Sequence, residues 1–201
     1  MQAPPRITVE VPLLSLGEGP ADYEALGSYV DALRRPRGLH MTLLHVGILE
    51  DFAGDVAAWT KGFTSAEKAL ERTASWLRGL PVLDGFAASS QRLLSLGGGR
   101  VAGLEVDVPE TVRDFQLSLV VALHGLLDEL AVDNIDDFIL SSPALGYRSP
   151  HWTPHVAVGR PKTRRSGPID IEPLALEFGA SQIRNAWVLD GVGGTAPPSE
   201  M

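Results

Sequence analysis

One stretch decides where this chain builds its sheet: Gly38-Leu-His-Met-Thr-Leu-Leu-His-Val-Gly-Ile-Leu49. A long apolar run between turn-forming residues predicts a strand that is buried on both faces. Because side chains alternate along a strand, His40 and Thr42 are expected on one side of it. His45 is expected on the other side, packed into the core.

A second stretch, Trp152-Thr-Pro-His-Val-Ala-Val-Gly159, also reads as a strand and places Thr153, His155 and Ala157 on one face. Each stretch lies next to a basic cluster, Arg34, Arg35 and Arg37 for the first and Arg160, Lys162, Arg164 and Arg165 for the second. The chain as a whole carries a net charge of −8. This balance excludes coating of duplex nucleic acid, which needs a broadly basic surface, and suits a local anionic ligand.

The rest of the chain alternates short strands and amphipathic helices around these two stretches. The pattern predicts three helices: one over 21–35 that ends at Pro36, one from a Thr64 cap to Leu77, and one over 109–130. It also predicts a strand over 6–14, hairpin strands over 85–96 and 100–108, and final strands over 174–178 and 181–189. A loop is predicted over 133–150. Mixed elements of this kind predict an α+β fold with helices packed on an antiparallel or mixed sheet.

Length and composition limit the classes of protein to which the chain belongs. With 201 residues, 44% of them hydrophobic and 21% charged, a single globular domain is expected over 1–190, followed by a mobile tail over 191–201. The absence of cysteine excludes disulfides, thiolate metal sites and cysteine nucleophiles. The N-terminus does not resemble a signal peptide and the longest apolar stretch is too short and polar to span a membrane, so a cytoplasmic protein is predicted.

The two strands resemble the motifs of the two-histidine (2H) phosphoesterase superfamily, in particular its RNA 2',3'-cyclic phosphodiesterase branch, also called the 2'-5' RNA ligase family. His40-Met-Thr-Leu-Leu-His-Val-Gly47 is similar to the first motif, and Pro154-His-Val-Ala-Val-Gly-Arg160 to the second. Ala157 departs from the second motif, which has Thr or Ser there. The resemblance implies two pseudo-symmetric lobes of mostly antiparallel sheet, with helices packed outside and a central cleft.

The same resemblance implies a phosphoesterase that uses neither metal nor cofactor. His40 and His155 would be the acid and base and Thr42 would orient the phosphate, with Arg160, Thr153 and Arg37 as substrate-binding candidates. The residue types agree, because imidazole exchanges protons near neutral pH and hydroxyls donate to phosphoryl oxygens. The implied substrate is an RNA end or nucleotide with a 2',3'-cyclic phosphate or a related 2'-5' phosphodiester, bound by a monomer that contacts neither duplex DNA nor a membrane.

Several alternatives stay open at this level. Ala157 supplies no hydroxyl, so either Thr153 replaces it or the chain is a binding module on the same fold that has lost turnover. His151 and His155 have the spacing of zinc ligands on a helix, but Pro150 and Pro154 disfavour a helix there. The nearby aromatic residues, Tyr147 and Trp152, either stack on a nucleobase or pack internally, and strand alternation favours packing for Trp152.

Overall fold

The computed structural model describes residues 4–145, 152–163 and 167–192. Its strands, in chain order, are β1 (Ile7–Leu16), β2 (Val30–Asp31), β3 (His40–Gly47), β4 (Phe86–Leu96), β5 (Val101–Asp107), β6 (His155–Pro161), β7 (Ile169–Phe178) and β8 (Gln182–Arg184). Its helices are α1 (Pro20–Ala25), α2 (Leu49–Trp59), α3 (Ala66–Arg78), α4 (Glu110–Glu129), α5 (Ile135–Ser141) and α6 (Trp187–Asp190).

The strands form one sheet in the order β2-β6-β3-β1-β7-β4-β5, with β8 added to β1 and a further pairing between β5 and β6. Every strand pair of the described residues is antiparallel. The predicted α+β class with mostly antiparallel strands is confirmed. Because β5 pairs back to β6, the sheet closes on itself, and its two halves are joined by the long strand β1 and by β6.

Strand β1 connects the halves by changing its partner along its length. Its first part, Ile7 to Pro12, pairs with β3, whereas Leu13 to Leu16 pair with β7. At the other junction, β3 and β6 share a single pairing, Met41 with Val156. The two motif strands therefore touch at one point and lie on either side of the line where the halves meet.

The core lies between the sheet and the helices. Phe52 and Phe138 are among its largest fully buried side chains, and their rings meet edge to face at 6.2 Å. Helix α4 packs on β3, where the Gln116 amide donates a hydrogen bond to the Leu43 carbonyl at 3.3 Å. Among the described residues, no helix is long and apolar enough to cross a membrane.

Several predicted boundaries are wrong for physical reasons. The helix predicted over 21–35 ends at Ala25 and a short 3-10 turn, and Val30 and Asp31 then pair with β6 as a strand. Helix α2 is absent from the sequence-based prediction, because its small residues weaken the helical pattern. Ser65, not Thr64, caps α3, since its side chain accepts from the Lys68 amide while Thr64 is buried against the Leu130 carbonyl.

Other differences concern the second half of the chain. The loop predicted over 133–150 contains α5, and the last predicted strand, 181–189, divides into β8 and α6. Arg164, Arg165, His151 and Tyr147 lie outside the described residues, as does the predicted tail after Val192.

Candidate active site

The pairing of Met41 with Val156 brings the two motif histidines onto one face of the sheet. Met41 and Val156 are both fully buried, so their side chains point into the core. Side chains alternate along a strand, so the neighbours of these two residues point to the opposite, partly open face. These neighbours are His40 and Thr42 on β3 and His155 on β6. Side chains that are diagonal neighbours across such a pairing lie about 7–8 Å apart, and His40 and His155 stand in this relation.

A β-bulge in β3 changes which face His45 occupies. Val9 pairs with Leu44 and Glu10 pairs with Thr42, which leaves Leu43 without a partner on β1. Leu43 and Leu44 are consequently both buried, and His45 returns to the side of Thr42. The prediction that His45 points away from His40 is wrong, as is the prediction that this strand is buried on both faces, because His40, Thr42 and His45 are all only partly buried.

Strand β6 has a matching bulge. Gly103 pairs with Ala157 and Ala102 pairs with Gly159, so Val158 has no partner on β5. The alternation resumes one residue later, and Arg160 follows on the same side as His155 and Ala157. Both strands thus present the residue at position +5 from the histidine on the site face, His45 in β3 and Arg160 in β6. The two strands are thus similar in where they place this residue, as expected for two pseudo-symmetric lobes.

The two imidazoles are oriented in the same way. His40 Nδ1 lies 2.9 Å from the Gly38 carbonyl oxygen, and His155 Nδ1 lies 2.8 Å from the Thr153 carbonyl oxygen. In each case the carbonyl belongs to the residue two positions earlier and can only accept a hydrogen bond. Donation from Nδ1–H to that carbonyl leaves Nε2 of each ring as the nitrogen that takes up or gives away a proton. Thr153 therefore contributes to the site through its backbone.

Glu10 is a site residue that sequence reasoning missed. Its side chain is only 2% exposed, and its Oε2 lies 3.4 Å from His40 Nε2 and 3.0 Å from Arg184 Nε. The Thr8 hydroxyl also donates to Oε2 at 3.2 Å, and the Gln182 amide donates to Oε1 at 3.4 Å. A buried carboxylate is tolerated when it is this well paired. The available sequence signal was an acidic residue between two β-branched core residues of a predicted strand.

Arg184 is the second residue that the sequence analysis did not find. Its Nε contacts Glu10 and its Nη2 lies 3.1 Å from His40 Nδ1, so the guanidinium is at the site. When Nδ1–H is donated to Gly38, the contact between Nη2 and Nδ1 joins two donors and is not a hydrogen bond. The guanidinium reaches this place because β8 pairs with β1, with Arg184 opposite Thr8. The pairing joins residues from the two ends of the chain, and no short motif reports it.

His155 has a carboxylate neighbour of a different kind. Glu105 is its direct partner on β5, and Arg92 of β4 forms an ion pair with Glu105 at 3.1 Å. Glu105 is 32% exposed, in contrast to the buried Glu10. Gly103 leaves room for the His155 ring, because a Cβ at that position would lie 3.2 Å from His155 Cδ2. The surroundings of the two histidines are thus similar in residue type but not in burial.

Three further residues that the sequence analysis singled out are Arg37, Ala157 and Trp152. Arg37 is exposed in the turn before β3. Ala157 stands opposite Gly103 and provides no hydrogen-bond donor. Trp152 is partly buried, and its Nε1 donates to the Thr42 carbonyl at 3.1 Å, which ties the segment before β6 to β3. Among the described residues, no group of three His, Asp or Glu side chains is placed to hold a metal ion.

His45 has a pKa that is displaced from its ordinary value of 6.5. Burial lowers its pKa by disfavouring the charged ring, and the nearby Arg6 guanidinium lowers it further. The neutral form of His45 is therefore favoured in the folded protein.

The chain is similar in fold to several solved structures. TT0787 of Thermus thermophilus is 17% identical over 88% of this chain and 87% of its own, with a TM-score of 0.45. A phosphoesterase is 15% identical over 90% of this chain and 95% of its own, with a TM-score of 0.46. E. coli LigT in apo form is 17% identical over 90% of this chain and 94% of its own, with a TM-score of 0.45. No family model matches the sequence, and no curated protein matches it.

Proposed function

We propose that this protein is a metal-independent phosphoesterase that hydrolyses a 2',3'-cyclic phosphate, or a related 2'-5' phosphodiester, at an RNA end or on a nucleotide. The observation that carries the proposal is the placement of His40 and His155 on one face, across the single pairing of β3 and β6. Each ring has its Nδ1 against a backbone carbonyl, which leaves Nε2 as the nitrogen for proton transfer, and in His40 this Nε2 lies 3.4 Å from the Glu10 carboxylate. The motif resemblance in the sequence points to the same chemistry.

The proposed step is an in-line displacement at phosphorus. One imidazole removes a proton from a water molecule whose oxygen forms the new bond to phosphorus. The other imidazole gives its proton to the departing sugar oxygen as the old P–O bond breaks, which leaves a phosphomonoester and a free hydroxyl. The base takes up one proton and the acid gives one away, so the reaction balances without an oxidant or a metal.

The contact with Glu10 distinguishes the two histidines. Glu10 Oε2 lies 3.4 Å from His40 Nε2, so a buried carboxylate orients the His40 ring. The Thr42 hydroxyl and the Arg184 and Arg160 guanidinium groups supply hydrogen-bond donors and positive charge where the phosphoryl oxygens become more negative.

A binding module without turnover is the second candidate, and Ala157 is the observation that favours it. The equivalent position of the first strand holds Thr42, whereas Ala157 offers no donor to a phosphoryl oxygen. Removing one donor from such a site typically costs about 10²- to 10³-fold in rate, which slows a reaction without preventing ligand binding.

Incubation with a nucleoside 2',3'-cyclic phosphate, with and without EDTA, separates the two candidates. Phosphorus NMR distinguishes the cyclic ester from the 2'- or 3'-monoester product. The proposal expects conversion by the wild-type protein and a rate lower by about 10²-fold or more in His155→Ala. Binding of the nucleotide without conversion would favour the binding module, and conversion that stops on chelation would contradict the metal-independent mechanism.

A further inference from the structure

The two halves of the sheet share little backbone pairing where the two histidine strands meet. Strand β3 pairs with β1 along its whole length, and β6 pairs with β5 from His155 to Gly159. Between β3 and β6, the part of the chain that the structure describes shows the single pairing of Met41 with Val156. Because His40 and His155 stand on either side of this line, their separation depends on whatever else holds β3 beside β6.

The indole of Trp152 supplies a second link across this line. Its Nε1 donates a hydrogen bond to the Thr42 carbonyl at 3.1 Å. Thr42 follows Met41 in β3, and Trp152 lies three residues before β6 begins, so this bond is next to the single pairing. A hydrogen bond of this kind contributes about 0.5–1.5 kcal/mol to stability. It therefore reinforces a line that has one backbone pairing.

The Trp152 side chain is itself held in place. It is partly buried and packs against the core, so the indole does not simply follow β3 if that strand moves. The backbone next to it is held from the other side, because the Val106 amide of β5 donates to the Pro154 carbonyl at 2.9 Å. The segment before β6 is thus tied to β5 through its backbone and to β3 through the indole.

Both ends of the indole bond adjoin residues of the candidate site. Thr42 is the residue expected to orient the phosphate, and it lies two positions from His40 in β3. Thr153 follows Trp152 directly, and its carbonyl oxygen lies 2.8 Å from His155 Nδ1. The bond therefore connects the backbone that carries one histidine to the backbone that orients the other.

Resting on the proposed function, we infer that Trp152 is a positioning residue, whose indole N–H fixes the separation of His40 and His155. The single N–H of the indole is engaged by the Thr42 carbonyl, so Trp152 takes no part in the proton transfers. Its effect is geometric, because a displacement of about 1 Å at an active site can cost about 10²-fold in rate.

The kinetic test removes the N–H and keeps an aromatic ring. Initial rates for a nucleoside 2',3'-cyclic phosphate are measured with wild type, Trp152→Phe and Trp59→Phe. Trp59 is the matched control, because it is also partly buried and its Nε1 donates to the backbone carbonyl and the carboxylate of Asp133, at 2.8 and 2.9 Å.

We expect Trp152→Phe to lower kcat by about 10- to 100-fold while KM stays within about twofold of the wild-type value. Trp59→Phe is expected to change neither constant by more than about twofold, because it loses a comparable hydrogen bond away from the histidines. If wild type hydrolyses the substrate and kcat of Trp152→Phe stays within about twofold of it, the inference is overturned.

Amide hydrogen exchange, read by NMR on the unliganded protein, tests the link without turnover. Because the Pro154 carbonyl faces β5 and backbone groups alternate in direction along a strand, the His155 amide faces β3 and the Val156 amide faces β5. We expect Trp152→Phe to speed exchange at His155 by about tenfold and to leave Val156 nearly unchanged, since one hydrogen bond across the line is lost. Trp59→Phe is expected to speed neither amide selectively.

The exchange rates separate this inference from the proposed function. Faster exchange at His155 alone supports the link, even if no cyclic phosphate is hydrolysed and the proposed function fails. Unchanged exchange at His155, or equal acceleration at His155 and Val156, overturns the inference, even if wild type hydrolyses the substrate and the proposed function stands.

Discussion

Glu10 carries the strongest residue-scale prediction, because its carboxylate is buried and contacts Nε2 of His40. We predict that Glu10→Gln lowers kcat by about 10- to 100-fold with little change in KM, since a hydrogen bond to a charged group contributes about 1.5–3 kcal/mol. Steady-state kinetics at several pH values measures the change, and the unfolding transition confirms that the variant is folded.

Glu105→Gln is the matched control for Glu10, because Glu105 neighbours His155 but is 32% exposed. Its effect on kcat is expected to be the smaller of the two, since a solvated carboxylate orients its neighbour less firmly. If Glu105→Gln reduces kcat more than Glu10→Gln does, the role assigned to Glu10 is wrong.

Ala157 gives the second prediction at the residue scale. Its side chain lies on the site face and is only partly buried, so a larger residue has room towards solvent. We predict that Ala157→Thr raises kcat for a 2',3'-cyclic nucleotide by about tenfold or more, because it adds a donor near the phosphoryl oxygens. Thr153→Ala is expected to change kcat little, since Thr153 holds His155 through its carbonyl, which the substitution keeps. The reverse pattern would show that the Thr153 hydroxyl is the donor.

At the scale of single residues, the part of the site that sequence reasoning found is the part that depends on local spacing. His40 and Thr42 share a face because they are two positions apart in a strand. Sequence reasoning does not find Glu10 and Arg184, because their contacts with His40 depend on strand pairings between distant parts of the chain. His45 was assigned to the wrong side because the bulge at Leu43 is defined by the register with β1, which periodicity does not reveal.

At the scale of elements, the close packing of β2 on β6 depends on Gly159. A Cβ there would lie 2.5 Å from Val30 Cγ1 and 2.9 Å from the Asp31 carbonyl oxygen, so β2 could not stay in place beside β6. We predict that Gly159→Ala destabilises the protein by roughly 1–3 kcal/mol, the usual cost of overpacking. Denaturant unfolding measures it, with Gly125→Ala in α4 as the control because that position is open. An unchanged midpoint for Gly159→Ala would show that β2 does not need the space at Gly159.

The elements that sequence reasoning found are those with a strong pattern or a clear end signal. The hairpin around Gly97-Gly-Gly99 and the helix after Pro109 are close to β4, β5 and α4 as observed. The failures occur where tertiary pairing overrides local preference. Val30 and Asp31 continue a helical pattern in the sequence, but in the structure they pair with Pro161 and Arg160 of β6.

At the scale of the whole molecule, His45 couples the stability of the fold to pH. Its folded pKa is lowered below the ordinary value of 6.5, so the unfolded chain binds a proton there more readily than the folded one. Stability is therefore lost as pH falls through 6.5 towards the lower folded pKa. We predict that His45→Gln loses less unfolding free energy than wild type between about pH 7 and pH 5, measured by denaturant unfolding at each pH. An equal loss in both proteins would contradict the prediction.

In the proposed mechanism, two halves of one sheet bring His40 and His155 to a single phosphorus. The most direct measurement is the rate of hydrolysis of a nucleoside 2',3'-cyclic phosphate by wild type, His40→Ala, His155→Ala and the double variant. If the two imidazoles act in one step, each single substitution lowers kcat by about 10²-fold or more, and the double variant is hardly slower than either single one. If either single variant keeps its activity, or if the two losses multiply in the double variant, the two histidines do not act together on one phosphate.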